Sequence, residues 1–484
     1  MDSIYFKSAT ELANLIKDKN ISSVELLELF LARVEAHNPK LNAVIWMDKQ
    51  AARQRAQEAD AALARGDDWG PLHGLPMTVK ESYQKAGSPT TWGVPALAHN
   101  VTETTALAVD RFEAAGAVIF GKTNVPIHLA DWQSFNEIYG TTNNPWNLNL
   151  TPGGSSGGSA AALAAGLTGL EAGSDIGASI RDPAHYCGVF GLKPTYGVIP
   201  SRGQSMPGVV AAADISVVGP LARGAKDLDL ALDVMSGPDL LDEIGWRLQL
   251  PEAPHKSLKN FRIALKLNDP NSEVDTAYGD ALQSLADRLA SLGATVTDTA
   301  QPDVDTKRLH EVYISLLRAA TSSRIDDDEI EHWQAISDSA GDQPATYLER
   351  MARANVMRHH DWLRLNNERH AMRFAFEDFF KDWDIILCPA AASAAWPHDQ
   401  EGERHHRTIP VNGKQVPTTD QLFWAGFSGV VYLPSTVGPT AIIEPGLPVG
   451  YQAIAGHCRD KTATKFTELV AREIVGFTPP PNFL

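Results

Sequence analysis

The chain has 484 residues, 43% hydrophobic and 21% charged, which excludes disordered and collagen-like classes and leaves an ordinary globular protein. Lys plus Arg number 42 against 59 Asp plus Glu, a net charge of −17, and no basic patch stands apart to offset the repulsion that a nucleic-acid backbone would meet. Three scattered cysteines, Cys187, Cys388 and Cys458, exclude a disulfide framework and any CxxC metal or redox pair. The opening Met1-Asp2-Ser3-Ile4-Tyr5-Phe6-Lys7 has neither a basic nor an apolar leader region, so a cytoplasmic protein outside the membrane is expected.

Residues 8–65 carry helical periodicity through Leu12, Leu15, Ile16, Val24, Leu27 and Val34, with Ser22 and Glu25 spaced as a capping box, predicting two or three opening helices within 1–65. Met77-Thr78-Val79-Lys80 reads as a buried strand with Lys80 at its end. A helix near 104–115 leads into the strand Ala117-Val118-Ile119-Phe120, and an Ala-rich helix is expected near 158–170. Further strands are expected at 261–265, 294–297 and 384–389, while 304–380 is strongly helical and charged and reads as a helical cap or peripheral layer. Strands alternating with helices predict an α/β core with a parallel or mixed sheet. With no internal repeat and no long linker, residues 1–484 are expected to form one large domain, with a loose tail after Pro479-Pro480-Pro481.

Three patterns compete as carriers of chemistry. Gly116-Ala117-Val118-Ile119-Phe120-Gly121-Lys122-Thr123 matches the phosphate-loop spelling, but apolar strand formers fill the place of a flexible loop, so a helix-turn-strand passage is favoured. Gly153-Gly154-Ser155-Ser156-Gly157 matches the nucleophile elbow of α/β-hydrolases, with Ser155 in the centre. Yet loop residues with two prolines, not an apolar strand, lead into it, so an esterase using Ser155 with Asp and His is the weaker reading. The third is Gly173-Ser174-Asp175-Ile176-Gly177-Ala178-Ser179-Ile180-Arg181. Gly177 and Ala178 let backbone N–H groups approach a ligand closely, as an oxyanion hole requires, and Ser179 sits beside them. A serine hydroxyl needs a base; His185 is the one histidine near either serine cluster, and Lys80 is a candidate if burial makes it neutral.

With these residues in view the chain resembles the amidase signature hydrolases. The resemblance runs densely over 71–203, through Pro71-Leu72-His73-Gly74-Leu75-Pro76 and Lys80, Gly121-Lys122-Thr123-Asn124, Asn144-Pro145-Trp146, Thr151 to Gly158, and Gly173 to Arg181, and it returns at Leu447-Pro448-Val449-Gly450-Tyr451-Gln452. It implies a large mixed twisted sheet flanked by helices on both faces. It further implies Ser179 as nucleophile, Ser155 as relay after a cis peptide bond, Lys80 as base, and the N–H groups of Ile176, Gly177, Ala178 and Ser179 as the oxyanion hole. The implied reaction is hydrolysis of a small-molecule carboxylic acid amide to acid plus ammonia or amine, with no metal or organic cofactor. Aromatic residues around the motifs favour an aryl or alkyl amide or anilide. A glutaminase subunit of an aminoacyl-tRNA amidotransferase is the rival within the resemblance, which the net charge of −17 disfavours.

The chain departs from the family pattern at Ala178, in place of a second glycine, at Glu81, in place of aspartate, and at Ile127-His128. His128, Trp132 and Phe135 are candidate pocket residues, although aromatics of this kind also build cores. Asp175 and Arg181 read as a structural pair and Cys187 as a small buried residue. His398, His405 and His406 read as a solvated loop rather than a metal site. Sequence leaves the assembly state open, with a homodimer as one form.

Overall fold

The computed structural model describes residues 4–341 and 346–484; Met1-Asp2-Ser3 and residues 342–345 of the helical segment lie outside the described residues. Ser8 with Glu11 and Ser22 with Glu25 form reciprocal capping boxes that start the helices Ala9–Lys17 and Ser23–Leu41. Strand β1 (Val44–Met47), too short for a periodic signal, separates them from a third helix, Lys49–Arg65. Strand β2 (Pro76–Lys80), the helix Leu107–Ala114 and β3 (Val118–Thr123) follow. They form a three-stranded sheet in the order β1-β3-β2, in which β2 and β3 run parallel with Lys80 opposite Thr123. The GxxxxGKT spelling therefore falls on a turn and a strand, with Gly116 at φ +100 and Lys122 and Thr123 buried.

A short hairpin, β4 (Phe135–Asn136) and β5 (Gly140–Thr141), precedes the wholly buried helix Gly157–Ala164. That helix stops short of the expected residue 170 because Gly166 takes φ +72 and turns the chain out. The main sheet is then assembled from β6 (Glu171–Asp175), β7 (Phe190–Lys193), β8 (Val217–Ala222), β9 (Arg262–Leu265), β10 (Thr295–Thr297) and β11 (Ile385–Pro389). After an outlying hairpin, β12 (Thr408–Val411) with β13 (Lys414–Pro417), the strands β14 (Ser435–Ile443) and β15 (Leu447–Ile454) complete it. Its order is β10-β9-β11-β15-β14-β7-β8-β6. The β10, β9 and β11 strands are mutually parallel and the remaining pairs antiparallel, so the sheet is mixed as expected. β11 is buried along its whole length, which explains its continuous apolar run Ile385-Ile386-Leu387.

Helices flank this sheet over two apolar cores. One gathers Leu27, Phe30, Val79, Phe120, Leu163 and Ile180; the other gathers Ile263, Tyr313, Leu387, Trp424, Tyr451 and Ala178. Ala178 and Ile180 thus belong to different cores, and the glycine-serine segment straddles the seam between them. The 304–380 region forms Thr306–Thr321, Asp327–Ser339, Tyr347–Asn355 and His359–Phe379. The C-terminal tail is not loose: Phe483 is buried and its carbonyl accepts a hydrogen bond from the Arg33 guanidinium. No helix among the described residues is long and apolar enough to cross a membrane.

Candidate active site

Lys80 ends β2 fully buried, and its Nζ lies 2.6 Å from Ser155 Oγ, 3.0 Å from Ser174 Oγ and 3.4 Å from the Ser174 carbonyl. Burial drives its ammonium down from 10.5 to about 7, against the opposing pull of Asp175, Asp182 and Glu171. That pull is weak for a local reason. Burial pushes Glu171 up to about 8 and Asp182 well above the carboxylate range, while Arg181 neutralises Asp175. Of three nearby carboxyls, then, none offers Lys80 an uncompensated negative charge at neutral pH.

The peptide bond between Gly154 and Ser155 is cis. Glycines surround it because backbone passes close by: a Cβ on Gly154 would stand 2.4 Å from the Asp131 carbonyl oxygen, and one on Gly158 would stand 2.3 Å from the Asn124 nitrogen. The Ser156 amide donates to the Ser179 carbonyl at 3.0 Å, which draws the two serine segments together across the seam. His185 cannot serve either serine. Its ring nitrogens are held by the Ser393 carbonyl at 3.0 Å and the Gly450 amide at 2.8 Å, and burial pushes it down to about 4. No strand leads into Gly153 either, so the elbow arrangement with a Ser155–His pair is not what the chain builds.

Asp175 organises the following loop. Its carboxylate accepts from the amides of Ala178 (3.0 Å) and Ile180 (3.1 Å) and pairs with the Arg181 guanidinium. The carbonyls on the other side are held too, Ile176 by the Tyr313 hydroxyl at 3.0 Å and Gly177 by Trp132 Nε1 at 2.7 Å. Ala178 takes φ +71, the left-handed conformation that favours the glycine it replaces. The expectation of four oxyanion donors is therefore revised: the Ala178 N–H is spent on Asp175, whereas those of Ile176, Gly177 and Ser179 have no acceptor among the described residues. Arg181 also donates to Gln452 Oε1 at 2.8 Å, which ties the Leu447-to-Gln452 block to this loop.

A cavity of about 770 Å³ opens onto Ser155, Ser174, Ile176, Gly177 and Ser179. His128 and Trp132 line it as expected. Phe135 does not; it packs instead beneath the Arg407 guanidinium, 5.7 Å from its ring centre. Glu81 acts one step removed, accepting the amides of Thr91 and Trp92, and Trp92 lines the cavity. Lys122, also buried, is a strut donating to the Pro89 carbonyl at 2.6 Å and Thr90 Oγ1 at 2.9 Å. Reading the sequence missed Ser174, whose Oγ accepts from Gln204 Nε2 at 3.0 Å, although its place beside Asp175 in a glycine-serine strand was a usable signal. Residues of the 304–380 segment, expected as a helical cap or peripheral layer, reach the site itself: Leu317, Arg318, Trp333, Ile336, Tyr347 and Met351 face the cavity, and so do His405 and His406. No group of histidine, cysteine and acidic side chains suited to a metal ion occurs among the described residues.

The Amidase family model matches residues 25–463. Among curated relatives, the indoleacetamide hydrolase of Bradyrhizobium diazoefficiens is 34% identical, covering 94% of this chain and 84% of its own. The acylamidase of Rhodococcus erythropolis is 32% identical (96% and 95%), and a component of the glutamyl-tRNA(Gln) amidotransferase of Methylobacillus flagellatus is 32% identical (93% of each). A bacterial aryl acylamidase of the amidase signature family superposes with a TM-score of 0.81 over 97% of this chain and 96% of its own; at 24% identity it speaks to the fold. The match over nearly the whole chain and the relatives on either side of it place this protein in the amidase family, and it is an amidase, a hydrolase of carbon–nitrogen amide bonds.

Proposed function

We propose that Ser179 attacks the amide carbonyl, that Ser155 relays its proton to Lys80, and that the product acid leaves through an acyl-Ser179 intermediate. The observation that carries this reading is the 2.6 Å contact between Lys80 Nζ and Ser155 Oγ inside a fully buried pocket, beside the cavity that Ser179 lines. A lysine with a value of about 7 is neutral in about half of the molecules near pH 7 and then has a lone pair to offer. As Ser179 Oγ bonds to the carbonyl carbon, its proton passes to Ser155 while the Ser155 proton passes to Lys80. Negative charge collects on the carbonyl oxygen, toward which the N–H groups of Ile176, Gly177 and Ser179 are available as donors. The proton returns along the same path to the leaving nitrogen, the C–N bond breaks, and water repeats the sequence on the acyl-enzyme. Ser174 and Gln204 keep Lys80 Nζ aimed at Ser155 throughout.

Apolar walls from Trp92, Trp132, Ile325, Ile336 and Leu422 support an aryl or alkyl acyl group, as do the substrates in the names of the indoleacetamide hydrolase and acylamidase relatives. The chain acts in this reading as one 484-residue catalytic unit in the cytoplasm, with a homodimer as the assembly to test by light scattering. The glutamyl-tRNA(Gln) amidotransferase relatives keep a second reading in play, a glutaminase working with partner proteins. Labelling the purified protein with a fluorophosphonate and locating the adduct by peptide mass spectrometry tests the main reading. The adduct is expected on Ser179 and lost in Lys80→Ala; an adduct on Ser155 that survives loss of Lys80 overturns it. Co-purification of small partner proteins with glutamine-dependent activity would favour the second.

A further inference from the structure

Arg318 and Arg404 line the catalytic cavity, and neither has a carboxylate within 4.0 Å among the described residues. Of the other arginines of the region, Arg181 is paired with Asp175 at 2.8 Å and Arg407 with Asp131 at 2.6 Å, while Arg324, which lines the cavity without a carboxylate partner among the described residues, donates to the His128 carbonyl at 2.9 Å and lies over the Trp92 ring. Both guanidiniums act on the Tyr347 hydroxyl, while Arg404 Nη1 also donates to the Ala130 carbonyl at 3.2 Å. Arg318 Nε donates to the Tyr347 oxygen at 2.9 Å, and although burial raises the Tyr347 phenol, Arg318 and Arg404 together hold it below its ordinary value. A hydroxyl oxygen that accepts from a guanidinium occupies the position an anionic oxygen would take, and its own proton is left to point at an incoming acceptor. Arg404 lies 5.6 Å from the ring centre of Trp132, and Trp132 Nε1 donates to the Gly177 carbonyl at 2.7 Å. The cationic cluster is thus one aromatic ring removed from the loop that carries Ser179. None of the acidic cavity residues lies within 4.0 Å of either guanidinium: Asp175 is held by Arg181, Asp131 pairs with Arg407 and feels Arg404 only from farther away, Glu329 accepts the Asp326 amide at 3.3 Å to cap its own helix, and Glu403 acts on His405.

We propose that Arg318, Arg404 and Tyr347 form a carboxylate-binding subsite, so that the substrates are amides whose end remote from the scissile carbonyl carries a carboxylate, with a spacer the length of an aromatic ring between them. The proposal rests on the reading that Ser179 works in this cavity. Two guanidiniums aligned on one carboxylate out of bulk water give charge-assisted hydrogen bonds about twice as strong as neutral ones, enough for a preference of about tenfold or more.

The test compares phenylacetamide with 4-(carbamoylmethyl)benzoate on the full-length protein and on Arg318→Met, Arg404→Met and Arg318→Lys. The carboxylate substrate is expected to have a kcat/KM at least about tenfold higher, mostly through KM, with the ratio falling toward one in each Met variant and partly recovering in Arg318→Lys. Equal kcat/KM for the two amides, or a ratio the Met variants leave unchanged, overturns the subsite. Fluorophosphonate labelling is read on the same preparations, and absence of an adduct on Ser179 counts against the nucleophile reading alone. If neither amide is hydrolysed, calorimetric binding to Ser179→Ala decides: selective binding of the benzoate that Arg318→Met abolishes supports the subsite, and indifference to the carboxylate overturns it.

Discussion

Asp175 and Arg181 form a fully buried two-point ion pair, Nη2 to Oδ1 at 2.8 Å and Nε to Oδ2 at 3.0 Å, from opposite ends of the loop that presents Ser179. The same carboxylate takes the amides of Ala178 and Ile180, so the pair fixes the direction of the N–H groups on either side of Ser179. Arg181→Met leaves an uncompensated buried carboxylate and is expected to lower the unfolding free energy by about 3–5 kcal/mol. Urea denaturation measures this; a loss below about 1 kcal/mol would show that the pair is dispensable to the fold.

Lys80 makes two opposed predictions. Because its neutral form is the proton acceptor, kcat/KM is expected to climb about tenfold per pH unit on the acid side and to level off above its value of about 7. For stability the sign runs the other way. The unfolded chain holds this proton more tightly, so the buried lysine costs up to about 5 kcal/mol at pH 7 and below, and the cost fades as pH rises toward 10.5. Lys80→Met removes that cost and forfeits hydrogen bonds worth about 1 kcal/mol each, for an expected net gain of about 2 kcal/mol at pH 7 that shrinks by pH 10. The variant should be inactive yet melt later, and an earlier melt at pH 7 contradicts the argument.

Ser155→Ala and Ser179→Ala are expected to lower kcat by at least about a thousandfold with unchanged circular dichroism, because neither hydroxyl carries the fold. Their double variant should be little worse than either single one, as expected of groups that act as a unit. Additive losses would mean that the two serines act independently.

Ala178 offers a gain. Its φ of +71 costs an alanine about 1 kcal/mol or more, so Ala178→Gly is expected to raise the unfolding free energy by about 0.5–1 kcal/mol after the entropy of the added glycine is counted. Chemical denaturation reads the difference, and a destabilised variant would show that the Ala178 methyl, buried in the core, outweighs its backbone.

Gly154→Ala tests the crowded approach to Ser155. Its Cβ would meet the Asp131 carbonyl oxygen at 2.4 Å and the Gln133 nitrogen at 2.9 Å, both backbone atoms with little room to yield. Loss of about 1–3 kcal/mol and of most fluorophosphonate labelling is expected, since moving either strand of chain displaces Ser155 from Lys80.

What the residues determined by themselves was local. The Ser22–Glu25 capping box, the β2 run ending in Lys80, the continuous apolar β11 and the two glycine-serine segments each act through neighbours a few positions away, so their patterns fix strand, helix and turn without reference to the rest. The same locality explains the small misses. Val44–Met47 is too short to show a period, and the Ala-rich helix ended where Gly166 turned left-handed. Tertiary structure alone decided what meets what: Lys80 with Ser174 across 94 residues, Arg181 with Gln452 across 271, and Arg33 with the carbonyl of Phe483 across 450. It also decided that Phe135 leaves the cavity while Arg318 and Tyr347 enter it. Burial does the chemical tuning as well, since the drop of Lys80 to about 7 depends on every surface packed around it, and no stretch of sequence encodes that surface on its own.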